Sequence, residues 1–327
     1  MKNFGKIDMG HGWVECTASS GGLFSVGQNG ISRVVSTGDG KVELISMGNG
    51  TLAHVKSDMG HPAYYPIKPV ALTHPVKAVL MDLDGTTVRS EEFWISIIEQ
   101  TVASLLGSKA FSFAAEDIPF VSGHSVSEHL QYCIQKYAPG VKLEVARAFY
   151  TEHTTREMAL ILAGKGRENA FTPTPGIRAF LLELKAMGIK IALVTSGLYR
   201  KAYPEIVSAF ETLDMGDPKA FYDCIITSGY PLEKGADGTL GELEAKPHPW
   251  LYAEACRVGL GMVEEERAHV LGIEDSGAGV CALRIAGYYT VGIAGGNIQQ
   301  SGTRGMCSAY CENLDEIMRI IKGDSHG

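Results

Sequence analysis

From residue 76 onward the chain alternates short, uniformly apolar runs with amphipathic segments, and this rhythm restricts the fold more than any other feature. The runs are KAVLMD (77–82), IKIALVT (189–195), DCIIT (223–227), AHVLGI (268–273) and YTVGI (289–293). A strand apolar on both sides has to be covered on both sides, as in a parallel sheet flanked by helices. GIRAFLLELKAMG (176–188) and HPWLYAEACRVG (248–259) have the helical spacing to serve as covers. Right-handed crossovers then align the strand carboxyl ends along one edge, the edge where such sheets bind ligands.

Two stretches fall outside this rhythm. Residues 88–170 show helical spacing without a convincing strand, in EEFWISIIEQTVASLLG, SVSEHLQYCIQKY and KLEVARAFYTEHTTREMALILAG. An insertion of this length is domain-sized in its own right. Residues 1–75 carry twelve glycines between partly alternating stretches, ISRVVS (31–36), KVELISM (41–47) and TLAHVKS (51–57). The connectors QNG, GDG and GNG are good turn formers, so a small antiparallel meander is predicted there. The expected division is a β-rich segment over 1–75, a core formed by 76–87 and 171–327, and a helical insertion over 88–170.

Chemistry is concentrated at the ends of the apolar runs. KAVLMDLDGTTV (77–88) ends a strand on Asp82-Leu83-Asp84-Gly85, and the two-residue period of a strand sends Asp82 and Asp84 to the same side. Two such carboxylates repel unless a cation lies between them, and a hard cation such as Mg²⁺ suits oxygen donors; a solvated surface turn is the plain alternative. VTSG (194–197) places the Thr195 hydroxyl and the backbone N–H groups of Ser196 and Gly197 beyond the sheet edge. These groups could bind phosphate oxygens or cap the following helix. Lys246, in AKPHPW, is either a site cation or a solvated lysine. Glu274 and Asp275 close the run VLGIEDSGAG, and adjacent acids ending an apolar strand are costly to bury without a cation.

Taken together and in chain order, these four motifs resemble those of the haloacid dehalogenase superfamily, over roughly residues 76–322. The resemblance implies a Rossmann-like α/β core with an inserted helical cap, and leaves residues 1–75 outside as a β-rich extension. It implies that Asp82 is the nucleophile forming an aspartyl-phosphate, and Asp84 the general acid and base whose carbonyl also reaches the metal. It implies that Thr195 binds the transferring phosphoryl group, that Lys246 screens Asp82 from the phosphate, and that Asp275 and Glu274 hold Mg²⁺. The charges agree independently: four carboxylates and a phosphate dianion cannot share a site without cations.

Asp84 distinguishes phosphate-ester chemistry from the family's dehalogenases and phosphonate hydrolases, so a Mg²⁺-dependent phosphatase acting on a small phosphorylated metabolite is expected. Within the family, a hexose-phosphate mutase resembling β-phosphoglucomutase is the runner-up. Those enzymes carry a histidine ten residues after the acid–base aspartate, where this chain has Trp94, and an arginine-bearing cap loop, where this chain has VSGHSVSEHL (121–130). In that loop His124 could face the phosphate site, or Ser125 and Glu128 could form a capping box. The interval between Thr195 and Lys246 exceeds the family pattern, with the excess in PLEKGADGTLGELEA (231–245). A third reading makes the core a scaffold and residues 1–75 the working, binding or regulatory part.

Composition sets the outer limits. Lys+Arg 29 against Asp+Glu 37 gives a net charge of −8, and such a surface disfavours nucleic acid and anionic membranes as partners. Seven scattered cysteines form no disulfide framework, and no stretch approaches a membrane span, so a cytoplasmic protein is expected. The sequence leaves the oligomeric state open.

Overall fold

The structure is a computed structural model and describes residues 5, 7, 9, 12–57, 60–121, 126–228 and 243–324. In chain order the strands are β1 (Val14–Cys16), β2 (Ile31–Ser36), β3 (Val42–Met47), β4 (Gly50–Val55), β5 (Ala63–Pro66), β6 (Ala78–Asp82), β7 (Val88–Arg89), β8 (Thr172–Pro173), β9 (Lys190–Leu198), β10 (Cys224–Ser228), β11 (Val270–Glu274), β12 (Tyr289–Ile293) and β13 (Ala309–Cys311). The helices are α1 (Glu91–Leu105), α2 (Ile118–Val121), α3 (Val126–Tyr137), α4 (Leu143–Leu162), α5 (Ile177–Ala186), α6 (Tyr199–Leu213), α7 (Pro218–Phe221), α8 (Trp250–Glu254), α9 (Gly277–Ala286) and α10 (Leu314–Lys322). Two compact units result. One contains residues 1–87, 174–199 and 217–327, the other residues 88–173 and 200–216.

In the larger unit the central sheet is parallel throughout, in the order β10-β9-β6-β11-β12-β13. Counted within this sheet, that is the doubly wound order 3-2-1-4-5-6, with its reversal point between β6 and β11. Ligand crevices form at such a point, beyond the strand carboxyl ends. The five apolar runs of the sequence correspond to β6, β9, β10, β11 and β12. Every residue of β6 and β11 is buried, as strands covered on both sides require. Parallel register brings the functional ends together, since Asp82 pairs with Val194, next to Thr195, and Ile273, next to Glu274, pairs with Met81.

The amino-terminal residues form an antiparallel meander, β1-β2-β3-β4-β5. Val35, Leu44 and Ala53 lie opposite one another across β2, β3 and β4 and share one face. That face packs with Val280, Cys281 and Ile285 of α9 and with Ile298 and Met306. The opposite face carries Val34 and Ile45, covered by Phe24, Leu52 and Tyr64. The meander is therefore docked on the helix that follows Glu274 and Asp275, within the same compact unit as the parallel sheet.

The smaller unit is helical apart from the β7–β8 pair. Phe93, Ile97, Ile98 and Val102 of α1, Leu130 and Cys133 of α3, and Met158 and Ile161 of α4 are buried in it. Buried Asp117 accepts hydrogen bonds from the Tyr132 and Tyr137 hydroxyls and from Lys136, which holds its carboxyl well below the usual carboxylate range despite its burial. All seven cysteines are unpaired. Among the described residues no helix is long and apolar enough to cross a membrane.

Candidate active site

Asp82 is the last residue of β6, and its side chain is buried at the reversal point of the sheet. The chain leaves β6 through a turn in which Gly85 takes φ +83°, a conformation open chiefly to glycine. The Thr87 hydroxyl donates to the Asp82 carbonyl at 2.6 Å and fastens this turn. Asp84 lies exposed at its rim, with the Thr195 hydroxyl 3.5 Å from Asp84 Oδ2.

Lys246 enters from the segment before α8 with a side chain only 5% exposed. Its ammonium donates to Asp82 Oδ1, to Glu274 Oε1 at 2.7 Å and to the Val194 carbonyl at 3.0 Å, so all three of its protons are used. Burial disfavours the charge, but Asp82 and Glu274 outweigh it and hold the ammonium above its ordinary pKa. The Lys246 N–H donates to Ser196 Oγ at 3.1 Å, and Gly197 N–H donates to the Thr195 hydroxyl at 2.9 Å. Asp82, Thr195, Ser196, Gly197 and Lys246 thus form one contiguous group.

Glu274 ends β11 fully buried, and Asp275 follows it. The Tyr252 hydroxyl donates to Glu274 Oε1, and the Ser276 hydroxyl to Glu274 Oε2 at 3.0 Å. Ser276 also caps α9, accepting from Gly279 N–H at 3.0 Å. A Cβ at Gly279 would fall 1.8 Å from the Glu274 carboxyl carbon, so glycine is needed for this carboxylate to lie against the helix start.

Oxygens of Asp82, Glu274 and Asp275 come within 4.8 Å of one another. Asp275 Oδ1 is buried without a hydrogen-bond partner, a costly state for a carboxylate oxygen. Burial, then the charge of Glu274, pushes the Asp275 carboxyl up to about 7, and the same two causes raise Asp82 well above its usual range. This all-oxygen, carboxylate-rich donor set, with an orphaned oxygen, fits a hard divalent cation. Among the motif residues four carboxylates face one ammonium, so Lys246 alone leaves the site negative. Asp82, Glu274 and Asp275 are the residues that could hold such an ion, with Asp84 at the rim.

Most motif residues of the sequence therefore meet at one sheet edge. His124 and Ser125 lie outside the described residues, as does most of the 231–245 ribbon. Sequence reasoning missed Tyr252, fully buried on α8, and Ser276. Tyr252 reads as an ordinary core aromatic of an amphipathic helix, but Ser276 stands directly after the acids and before small residues, a visible cap signal.

A family model described as "Hydrolase: haloacid dehalogenase-like hydrolase" matches residues 76–287. The chain is 28% identical over 233 residues to the beta-phosphoglucomutase of Bacillus subtilis (strain 168), covering 68% of this chain and 84% of that relative. Among solved structures it is similar to CbbY from Rhodobacter sphaeroides in complex with phosphate, with TM-score 0.53, 20% identity, and 74% of this chain and 96% of that one covered. A predicted phosphoglycolate phosphatase from Haemophilus somnus gives TM-score 0.55 and 17% identity, covering 76% of this chain and 99% of that one. These structures share the fold, and the match over residues 76–287 shows that the chain belongs to the haloacid dehalogenase-like hydrolases.

Proposed function

We propose that this protein is a Mg²⁺-dependent phosphatase that hydrolyses a small phosphorylated metabolite through an aspartyl-phosphate on Asp82. The observation that carries this reading is the buried Asp82 carboxylate, bonded to Lys246 and facing Glu274 and the unpartnered oxygen of Asp275. A carboxylate so placed is positioned to act as a nucleophile, with Lys246 supplying part of the positive charge a phosphoryl group needs and a divalent cation the rest.

In the first step an Asp82 oxygen attacks phosphorus. The bond to the leaving oxygen breaks, and that oxygen takes the proton of Asp84. In the second step Asp84 accepts a proton from water as the water oxygen attacks phosphorus, which returns Asp82 as carboxylate and releases inorganic phosphate. The Thr195 hydroxyl, oriented by the Gly197 N–H, and the Ser196 N–H hold the transferring oxygens, while Lys246 offsets the repulsion between Asp82 and the incoming dianion. Bound Mg²⁺, held by Asp82, Glu274 and Asp275 with help from the Asp84 carbonyl, supplies charge neutralisation and orientation.

The Bacillus subtilis relative supports a second reading, a hexose-phosphate mutase. Trp94 weighs against it, because an indole packed under the Lys201 ammonium, 3.9 Å from its ring centre, has no acceptor to offer a sugar hydroxyl. Phosphate release from a panel of phosphorylated metabolites, with Mg²⁺ and again with chelator, tests the proposal. Chelator-sensitive release supports hydrolysis. Conversion of β-glucose 1-phosphate, dependent on its bisphosphate and without phosphate release, would favour the mutase.

A further inference from the structure

The match to the family begins at residue 76, so the amino-terminal sheet is an addition to the catalytic core. It nevertheless makes polar contacts with the short segment that delivers Lys246. The Ser57 hydroxyl, just past β4, donates to Glu244 Oε2 at 2.6 Å. The Trp250 indole N–H donates to the Tyr65 oxygen at 3.0 Å, and that hydroxyl lies 3.1 Å from His248 Nδ1. Since Tyr65 already accepts from Trp250, its own proton is available for Nδ1. The His248 proton then sits on Nε2, which lies 3.5 Å from Glu244 Oε2 without forming a hydrogen bond. His248 is fully buried and Glu244 nearly so, and burial holds the imidazole below its ordinary pKa, in keeping with a neutral ring.

Residues 244, 248 and 250 flank Lys246 on both sides, and Ser57 and Tyr65 bind all three. Against this, the described contacts of Lys246 with β9 are a bond from its N–H to exposed Ser196 and one from its ammonium to the Val194 carbonyl. A lysine side chain is long and rich in rotamers, so its ammonium is only as well placed as the backbone beneath it. Misplacement of a catalytic group by about 1 Å can cost as much as ~100-fold in rate.

We propose that the amino-terminal sheet is a brace for Lys246, with Tyr65 and Ser57 as positioning residues that fix the 244–250 segment. The proposal rests on the reading of Lys246 as part of the phosphoryl-transfer site.

The test measures affinity for beryllium fluoride with Mg²⁺, a mimic of phosphorylated aspartate, by calorimetry on the full chain. Tyr65→Phe and Ser57→Ala are each made in the wild type and in Lys246→Met, with urea unfolding followed alongside. The brace predicts a loss of roughly ten-fold for either variant in the wild-type background and none in Lys246→Met, because residues acting through one group are not additive. Unchanged affinity in the wild-type background, or an equal loss in both backgrounds, would overturn the brace. Equal binding by wild type and Lys246→Met would instead overturn the phosphoryl-transfer reading, and the brace with it. Ser57→Ala removes a different bond from Tyr65→Phe, so a folding defect in one leaves the other decisive.

Discussion

The Lys246 ammonium lies 2.7 Å from Glu274 Oε1 while also bonded to Asp82, so one buried cation serves two buried acids that arrive from strands on either side of the reversal point. Removing that cation leaves both buried acids uncompensated. Lys246→Met should therefore destabilise the metal-free protein by about 3–5 kcal/mol, as read by urea unfolding. Mg²⁺ should restore a large part of this loss, since an ion binding only the folded state adds stability by mass action. A Lys246→Met variant as stable as the wild type in chelator would contradict this charge balance.

Gly85 gives a second test, because its position is defined by space as well as by backbone. A Cβ there would lie 2.0 Å from Asp275 Oδ2, on a residue already at φ +83°. Gly85→Ala should push Asp275 away and abolish the Mg²⁺-dependent rise in melting temperature. Gly21 is the control, with φ +97° and nothing within 4 Å of its Cβ. Gly21→Ala should cost only about 1 kcal/mol and leave the Mg²⁺ response intact. An intact Mg²⁺ response in Gly85→Ala would show that Asp275 does not depend on this turn.

The layout of the parallel sheet was legible because uniformly apolar five- to seven-residue runs have few other uses. β13 was not: AYC is only three residues long and two of them are half-buried. β1 and β5 of the meander escaped for the same reason, being short and without a fully buried residue. Asp82 and Glu274 are conspicuous because each ends an apolar strand, whereas Thr195 and Lys246 taken alone read as a helix cap and a solvated lysine, and only the chain order of the four motifs singled them out. The support of Glu274 by Tyr252, and of the lysine segment by Tyr65, was not legible, because those contacts are set by packing between residues far apart in the chain.

The smaller unit carries its own pH sensitivity. His153 of α4 is buried, with Nε2 2.8 Å from the Ser104 hydroxyl and Nδ1 unpartnered. Burial, with Arg156 next, pulls its pKa below the ordinary 6.5. The unfolded chain then binds this proton more readily than the folded one, so stability is complete above about pH 6.5 and declines as pH falls through that value toward the folded pKa. Urea midpoints measured between about pH 7.5 and 5.5 should fall, and His153→Gln should flatten that fall. The same slope in wild type and variant would assign it to other groups.

The most direct measurement is chemical trapping at Asp82. The enzyme is mixed with Mg²⁺ and a turned-over phosphorylated substrate, quenched during turnover and treated with borohydride, which reduces an acyl-phosphate and leaves a free carboxylate untouched. The account predicts homoserine at position 82 in the substrate-treated wild type, none without substrate, and no phosphate release by Asp82→Asn. Phosphate release with position 82 left as aspartate, or sustained turnover by Asp82→Asn, would contradict it.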